Sequence, residues 1–226
     1  MNRFDQLGLR NRRTVPLSAV PAESIEGFRR TVIDAVVRGW RIVSLFGSPD
    51  AAGQTLLLAV LADDARGRLG ATSTLVMESF PSLTPECPEA HLFEREIAEQ
   101  CGVTPVGHPW LKPVRRHRPD HGAVPGRAVF DPDLYGFLQF SGEEVHEVAV
   151  GPVHAGIIEP GHFRFQAHGE EVLFLEIMLG YQHRGVERLL ETMDRSRTML
   201  VAESIAGDTV IGHAEGFAGA IEALAR

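Results

Sequence analysis

GPVHAGIIEPGHFRF (residues 151–165), LEIMLGYQHRGVERLLE (175–191) and AESIAGDTVIGHAEGFAGAIEAL (202–224) carry the reading of the second half of the chain. Just before them, EVHEVAV (144–150) alternates like a strand with one covered face. Residues 163–167 and 172–178 flank His168-Gly169-Glu170, a hairpin signal. Three antiparallel strands are predicted. Gly180 ends that sheet, and residues 181–191 open a helical region. Asp194 is placed to cap a longer helix beginning at Arg195. Leu200, Ile205, Ile211, Phe217, Ile221 and Leu224 supply apolar helix faces, with an interruption expected near Gly207 or Gly212.

Outward from this stretch, residues 118–142 are rich in Pro, Gly and Asp, the composition of a linker. Phe130, Tyr135, Phe137 and Phe140 within it are expected to pack on a surface. Further upstream, Ile25, Phe28, Val32 and Val36 recur at spacings of three and four. They predict a helix over 21–39, capped by Ser24 and stopped by Gly39. RIVSLF (41–46), closed by 47–50, then QTLLLAVLA (54–62) and ATSTLVM (71–77), read as strands. The continuous apolar run 54–62 suits burial on both faces. The expectation is one helix over three or four strands. A second helix is placed at 89–101, stopped by Gly102.

The formal charge of −8 argues against nucleic acid or an anionic membrane surface as the main partner. Basic residues cluster from Lys112 through Arg115 to Arg118, and a solvated or interface segment is the plain reading. Cys87 and Cys101 give neither a disulfide framework nor a Cys-rich metal site. A reducing cytoplasm is the simplest compartment. Residues 1–20 lack a signal-peptide apolar region and are expected to form a loose arm. No apolar run is long enough to span a bilayer, so membrane association is expected only through partners. Glu170, Glu171 and Glu176 show no pairing at catalytic spacing.

Phe93-Glu94-Arg95-Glu96 followed by Gly107-His108-Pro109-Trp110-Leu111-Lys112 resembles the signature of the small hydrophilic C subunit of NADH-quinone oxidoreductase, over about residues 20–117. The chain departs from that family at 98–102, where an acidic-aromatic-Phe-Gly stretch is usual. The later stretches, with Gly180-Tyr181-Gln182-His183-Arg184-Gly185-Val186-Glu187, resemble the start of the large subunit of membrane-bound nickel-iron hydrogenases of the formate-hydrogenlyase kind. They are also similar to the quinone-site subunit of complex I. The order of the two parts resembles the fused formate-hydrogenlyase large subunit. The resemblance implies an α+β fold: a small N-terminal α/β domain, then a β-hairpin element leading into the first helices of a hydrogenase-large-subunit-like bundle. The implied division is an arm at 1–20, an α/β domain like the complex I C subunit at 21–117, a linker at 118–143 and a large-subunit-like part at 144–226.

In the active hydrogenases a Cys-Gly-x-Cys pair stands where this chain reads Ala206-Gly207-Asp208-Thr209. Nickel-iron centres need soft thiolates. A methyl cannot ligate, and a hydroxyl is a poor ligand for such a centre. The second cysteine pair of the resembling family lies beyond residue 226. The resemblance therefore implies a shortened large subunit with no metal site and no cofactor of its own. Iron-sulfur clusters are expected in a partner subunit.

Quinone chemistry in the complex I relatives uses a tyrosine at the position of Gly207 and a histidine from the β loop, which His154 or His162 would match. His183, Arg184 and Glu187 lie where relatives approach the iron-sulfur partner; His213 lies on the following helix. Packing at a helix start and an interface ion pair are the plain account of that triplet. Glu94, Arg95 and Glu96 either pair with a neighbouring subunit or sit in a solvated face, where exposed pairs contribute only about 0–1 kcal/mol. His108 before Pro109 lies in a turn and reads as a structural hydrogen bonder. Two functions follow. The chain is a subunit of a membrane-associated complex-I-like or formate-hydrogenlyase-like oxidoreductase, docked on an iron-sulfur small subunit and membrane subunits. Alternatively, it is a non-catalytic remnant or an assembly module of such a complex. A quinone-site subunit is a third, weaker reading.

Overall fold

The computed structural model describes residues 7–115, 130 and 135–225. In the first half, α1 (Ile25–Val37) precedes three strands, β1 (Arg41–Pro49), β2 (Thr55–Asp63) and β3 (Arg68–Val76). They form an antiparallel sheet in the order β1-β2-β3. The turns explain the topology. Asp50 Oδ1 accepts from the Ala52 and Gln54 amides at 2.9 and 2.8 Å, closing the first hairpin. Asp63 accepts from the Arg66 amide at 3.2 Å in the second.

Ser24 caps α1 by accepting from the Gly27 amide at 3.1 Å, and Gly39 follows the helix at φ 88°. Phe28, Val32 and Ala35 of α1 are fully buried against Leu57, Ala59 and Leu61 of β2. The alternate residues Leu56, Leu58 and Val60 are only half-buried, so β2 is not buried equally on both faces.

A second helix shares this face. After β4 (Ser79–Pro81), α2 (His91–Cys101) lies against β1, and Ile97 and Cys101 join the same core. Gly47 permits the approach: a Cβ there would come within 2.7 Å of Cys101 Sγ. The first unit therefore has two helices on its sheet, not one. Nor does β1 stop at Phe46, because Gly47, Ser48 and Pro49 pair with Leu57, Leu56 and Thr55. Gly102 ends α2 at φ 67°, and β5 (Thr104–Val106) pairs in parallel with β4.

The second half opens with β6 (Val145–Val150), β7 (His162–His168) and β8 (Glu171–Met178), antiparallel in the order β6-β7-β8. The expected hairpin at Gly169 is present. Val148, Phe165 and Leu175 form one cross-strand row, and Val150, Phe163 and Ile177 the next. This apolar face is the exposed one: Val148, Val150, Leu175 and Ile177 are each more than 40% accessible. The opposite face carries Gln166 and Glu176, both 3% accessible. Tyr135, Phe137 and Phe140 do pack there, against one another, His162 and Phe174. The rest of the expected linker, 118–129 and 131–134, lies outside the described residues, as do residues 116–118 of the basic cluster.

Three helices follow: α3 (Val186–Thr192), α4 (Thr198–Glu203) and α5 (Val210–Leu224). Asp194 caps a 3-10 turn, Arg195–Arg197, and α4 after it is short. The longer helix expected from Arg195 breaks at 204–209, near Gly207; Gly212 interrupts nothing. Residues 7–20 are not loose. Leu9 bridges Leu69, Arg12 pairs with Glu215, and the Thr14 hydroxyl donates to the Ala223 carbonyl at 3.3 Å. Among the described residues, no helix is long and apolar enough to cross a membrane.

Candidate functional site

α2 positions the first group of side chains. Glu94 is wholly buried and accepts from the Leu83 and Thr84 amides at 2.7 and 3.2 Å and from the Ser82 and Thr84 hydroxyls at 2.6 and 2.5 Å. A buried carboxylate survives only where donors surround it. Here they are the residues after β4. The solvated-face reading fails for Glu94 and for Arg95, which is 6% accessible. For Glu94 the cause is the segment after β4, and for Arg95 it is the chain that folds back over α2 after β5.

Residues 107–115 form that strap. Arg95 Nε donates to the Lys112 carbonyl at 2.7 Å and Nη2 to the Pro113 carbonyl at 3.0 Å. Glu99 Oε2 accepts from the Val114 and Arg115 amides at 3.0 and 2.9 Å. His108 Nδ1 accepts from the Trp110 amide at 3.0 Å, and its Nε2 lies 3.2 Å from the His91 carbonyl. His108 is thus a structural hydrogen bonder in its turn. Burial pulls the Arg95 guanidinium below its ordinary value, opposed by Tyr135, Glu99 and Glu176; an arginine keeps its charge in proteins.

The strap crosses to the second sheet. Lys112 Nζ lies 2.5 Å from Glu176 Oε1 and donates to the Gly136 carbonyl at 2.6 Å. Its cation also sits 4.1 Å from the centre of the Trp110 ring. Glu176 Oε2 accepts from the Leu138 amide at 3.0 Å. Tyr135 lies against both Glu176 and Arg95; burial first, then Glu176, pushes its phenol up to about 12. Gly180, at φ 94°, lets the strap pass close by, since a Cβ there would meet the Val114 carbonyl oxygen at 2.6 Å. A groove of about 410 Å³ remains at this junction, lined among others by His91, Arg95, Trp110, Phe174, Glu176 and Leu179.

Arg115 carries the junction to α3. Its Nη2 pairs with Glu96 at 2.5 Å and with Glu187 at 2.8 Å. Burial tends to raise the Glu187 pKa, but its own backbone amide and Arg115 outweigh that and hold it below the usual range. The His183 amide donates to the Gly180 carbonyl at 3.1 Å. Arg184 Nη2 donates to the Ser204 and Ile205 carbonyls at 2.6 and 3.0 Å, closing the end of α4.

The remaining candidates lie apart from this network. His154 Nε2 lies 2.8 Å from the Gly161 carbonyl and His162 Nδ1 3.2 Å from that of Gly151, so each ring serves its own loop. Ala206 and Gly207 sit in the break before α5, and the Thr209 hydroxyl is bonded to His213 Nδ1 at 2.9 Å. Among the described residues, no three His, Cys, Asp or Glu side chains are grouped to hold a metal ion.

Two sequence markers far apart in the chain therefore meet at one strap. Parts of this chain are similar to known proteins. The family model for the respiratory-chain NADH dehydrogenase, 30 Kd subunit, matches residues 53–133. Those residues are a domain of that family. The 30 Kd-subunit domain thus includes Glu94, Arg95, Glu96, His108 and the whole strap. The chain is homologous to hydrogenase-4 component G of Escherichia coli K12, 31% identical over 157 residues, and to formate hydrogenlyase subunit 5 of the same organism, 31% over 158. Each similarity takes in 63% of this chain, more than the 30 Kd-subunit match does, yet the chain spans only 28% of the relative. The C/D subunit of NADH-quinone oxidoreductase from Bacteroides thetaiotaomicron is 24% identical over 152 residues, 55% of this chain and 28% of that one.

Sequence reasoning missed Glu99, Lys112, Arg115, Tyr135 and Glu176 as members of the site. One signal was available for Glu176: it stands between Phe174 and Met178 on one face of β8. A carboxylate at such a position asks for a buried partner.

Proposed function

We propose that this chain is a subunit of a membrane-associated oxidoreductase of the complex I or formate-hydrogenlyase kind. It docks on an iron-sulfur partner and does not itself hold a nickel-iron centre. One observation carries the reading: similarity to two hydrogenase components takes in more of the chain than the 30 Kd-subunit match, while the chain has Ala206 and Thr209 where thiolates would be needed. The helices after β8 then correspond to the first helices of a large-subunit bundle, and attachment to the inner face of the membrane is through partner subunits.

The geometry supports a scaffold. Glu94, Arg95, Glu99 and Lys112 spend their charges within the chain, and the groups at the junction are bonded to one another. The apolar face of β6–β8 turns outward, as a docking subunit requires. Electron transfer belongs, on this reading, to clusters in the neighbours.

Affinity purification of the tagged chain from native membranes tests it. Iron-sulfur and membrane subunits should co-purify, with nickel well below one per chain. Recovery of the chain alone, or with stoichiometric nickel, would overturn the proposal.

A further inference from the structure

The histidine pair at the head of the strap does something the docking role does not require. His91 and His108 stack with ring centres 5.1 Å apart and planes at 29°. Each ring receives a hydrogen bond that only its neutral form can accept. The Trp110 amide points at His108 Nδ1, so the ring proton sits on Nε2, which donates to the His91 carbonyl. The Arg95 guanidinium, which can only donate, lies 3.1 Å from His91 Nε2, so that ring carries its proton on Nδ1.

We propose that the His91–His108 stack is an acid-released catch on the strap. When both rings are neutral, they hold Trp110 and Arg95, and through these the Lys112 and Pro113 carbonyls and the contact with Glu176. A proton added to either ring removes an acceptor and sets a cation beside Arg95. The strap, and the second sheet with it, is then loosened.

The charges acting on the rings are Arg95 and the buried Glu94 of α2; Glu99 of the same helix and, across the junction, Tyr135 and Glu176 act on Arg95, and Lys112 of the strap pairs with Glu176. Burial opposes a proton on both rings most, and Arg95 opposes it too, whereas the His91 carbonyl attracts one to His108 and Glu94 attracts one to both; the pKa of each ring still falls below its ordinary 6.5. The stabilisation is therefore full above the unfolded value and is lost as pH falls through the folded one.

Hydrogen exchange of the full chain, corrected for intrinsic rates, reads this at the Trp110, Val114 and Arg115 amides. Protection there should fall by about tenfold between about pH 7.5 and 5, with β1–β3 unchanged. In the His91→Gln/His108→Gln variant the drop should shrink below about threefold. An equal drop in that variant, or none in the wild type, would refute the catch. Histidine titration by NMR of the wild-type chain needs no variant to fold: either ring titrating at or above its free value refutes it as well.

Discussion

The Lys112 ammonium sits 2.5 Å from a carboxylate oxygen of Glu176, whose side chain is 2% accessible. The pair joins the strap over α2 to the inner face of the second sheet. Glu176 has a second hold, the Leu138 amide. Replacing Lys112 by Met would take from that buried carboxylate its ion-pair partner, leaving it the Leu138 amide, Tyr135 and the field of Arg95. Loss of one partner of a buried pair costs about 3–5 kcal/mol. Urea unfolding of Lys112→Met should show a destabilisation of that order, whereas a solvated pair would give less than about 1 kcal/mol.

Glu94 satisfies two amides and two hydroxyls from inside the protein. Glu94→Ala strands them together. The expected loss is roughly 3 kcal/mol or more, since each orphaned buried group costs about 1–3 kcal/mol. Thermal unfolding measures it, and a change under about 0.5 kcal/mol would place Glu94 among ordinary surface positions.

Gly180 combines a left-handed backbone with a carbonyl where its Cβ would be. Gly180→Ala is therefore expected to push the strap away. Destabilisation of about 1–3 kcal/mol should accompany faster hydrogen exchange at Val114 and Arg115. Faster exchange confined to residues beyond Gly180 would contradict this.

Burial raises the Cys87 thiol to about 11 and Cys101 to about 12, with Glu89 and Glu96 adding to the respective shifts. The thiolate is the reactive form. Neither cysteine should label with a maleimide at about pH 8 until denaturant is added, when both should. Prompt labelling of Cys101 in the folded chain would contradict its place in the core.

Much of the local structure was legible. Ser24 and Gly39 bracket α1 because their chemistry suits those positions whatever surrounds them. Gly169 marks the β7–β8 turn for the same reason. What could not be read is which face of the second sheet turns inward. Leu173, Leu175 and Ile177 look like a core face, yet they are exposed, and the face with Glu176 is covered. The decision belongs to Lys112, which lies far off in the chain and reads on its own as one more solvated base. Glu94 and Arg95 were misjudged likewise: a charged helix face is normally wet, and here the segment after β4 covers Glu94 while the returning strap covers Arg95.

A double-mutant cycle on Lys112 and Glu176 tests the junction most directly. Urea unfolding of Lys112→Met, Glu176→Leu and the double variant should give a coupling of about 1–3 kcal/mol, with the double variant more stable than additivity allows. Additivity within about 0.3 kcal/mol would mean that the two segments are not joined through this pair.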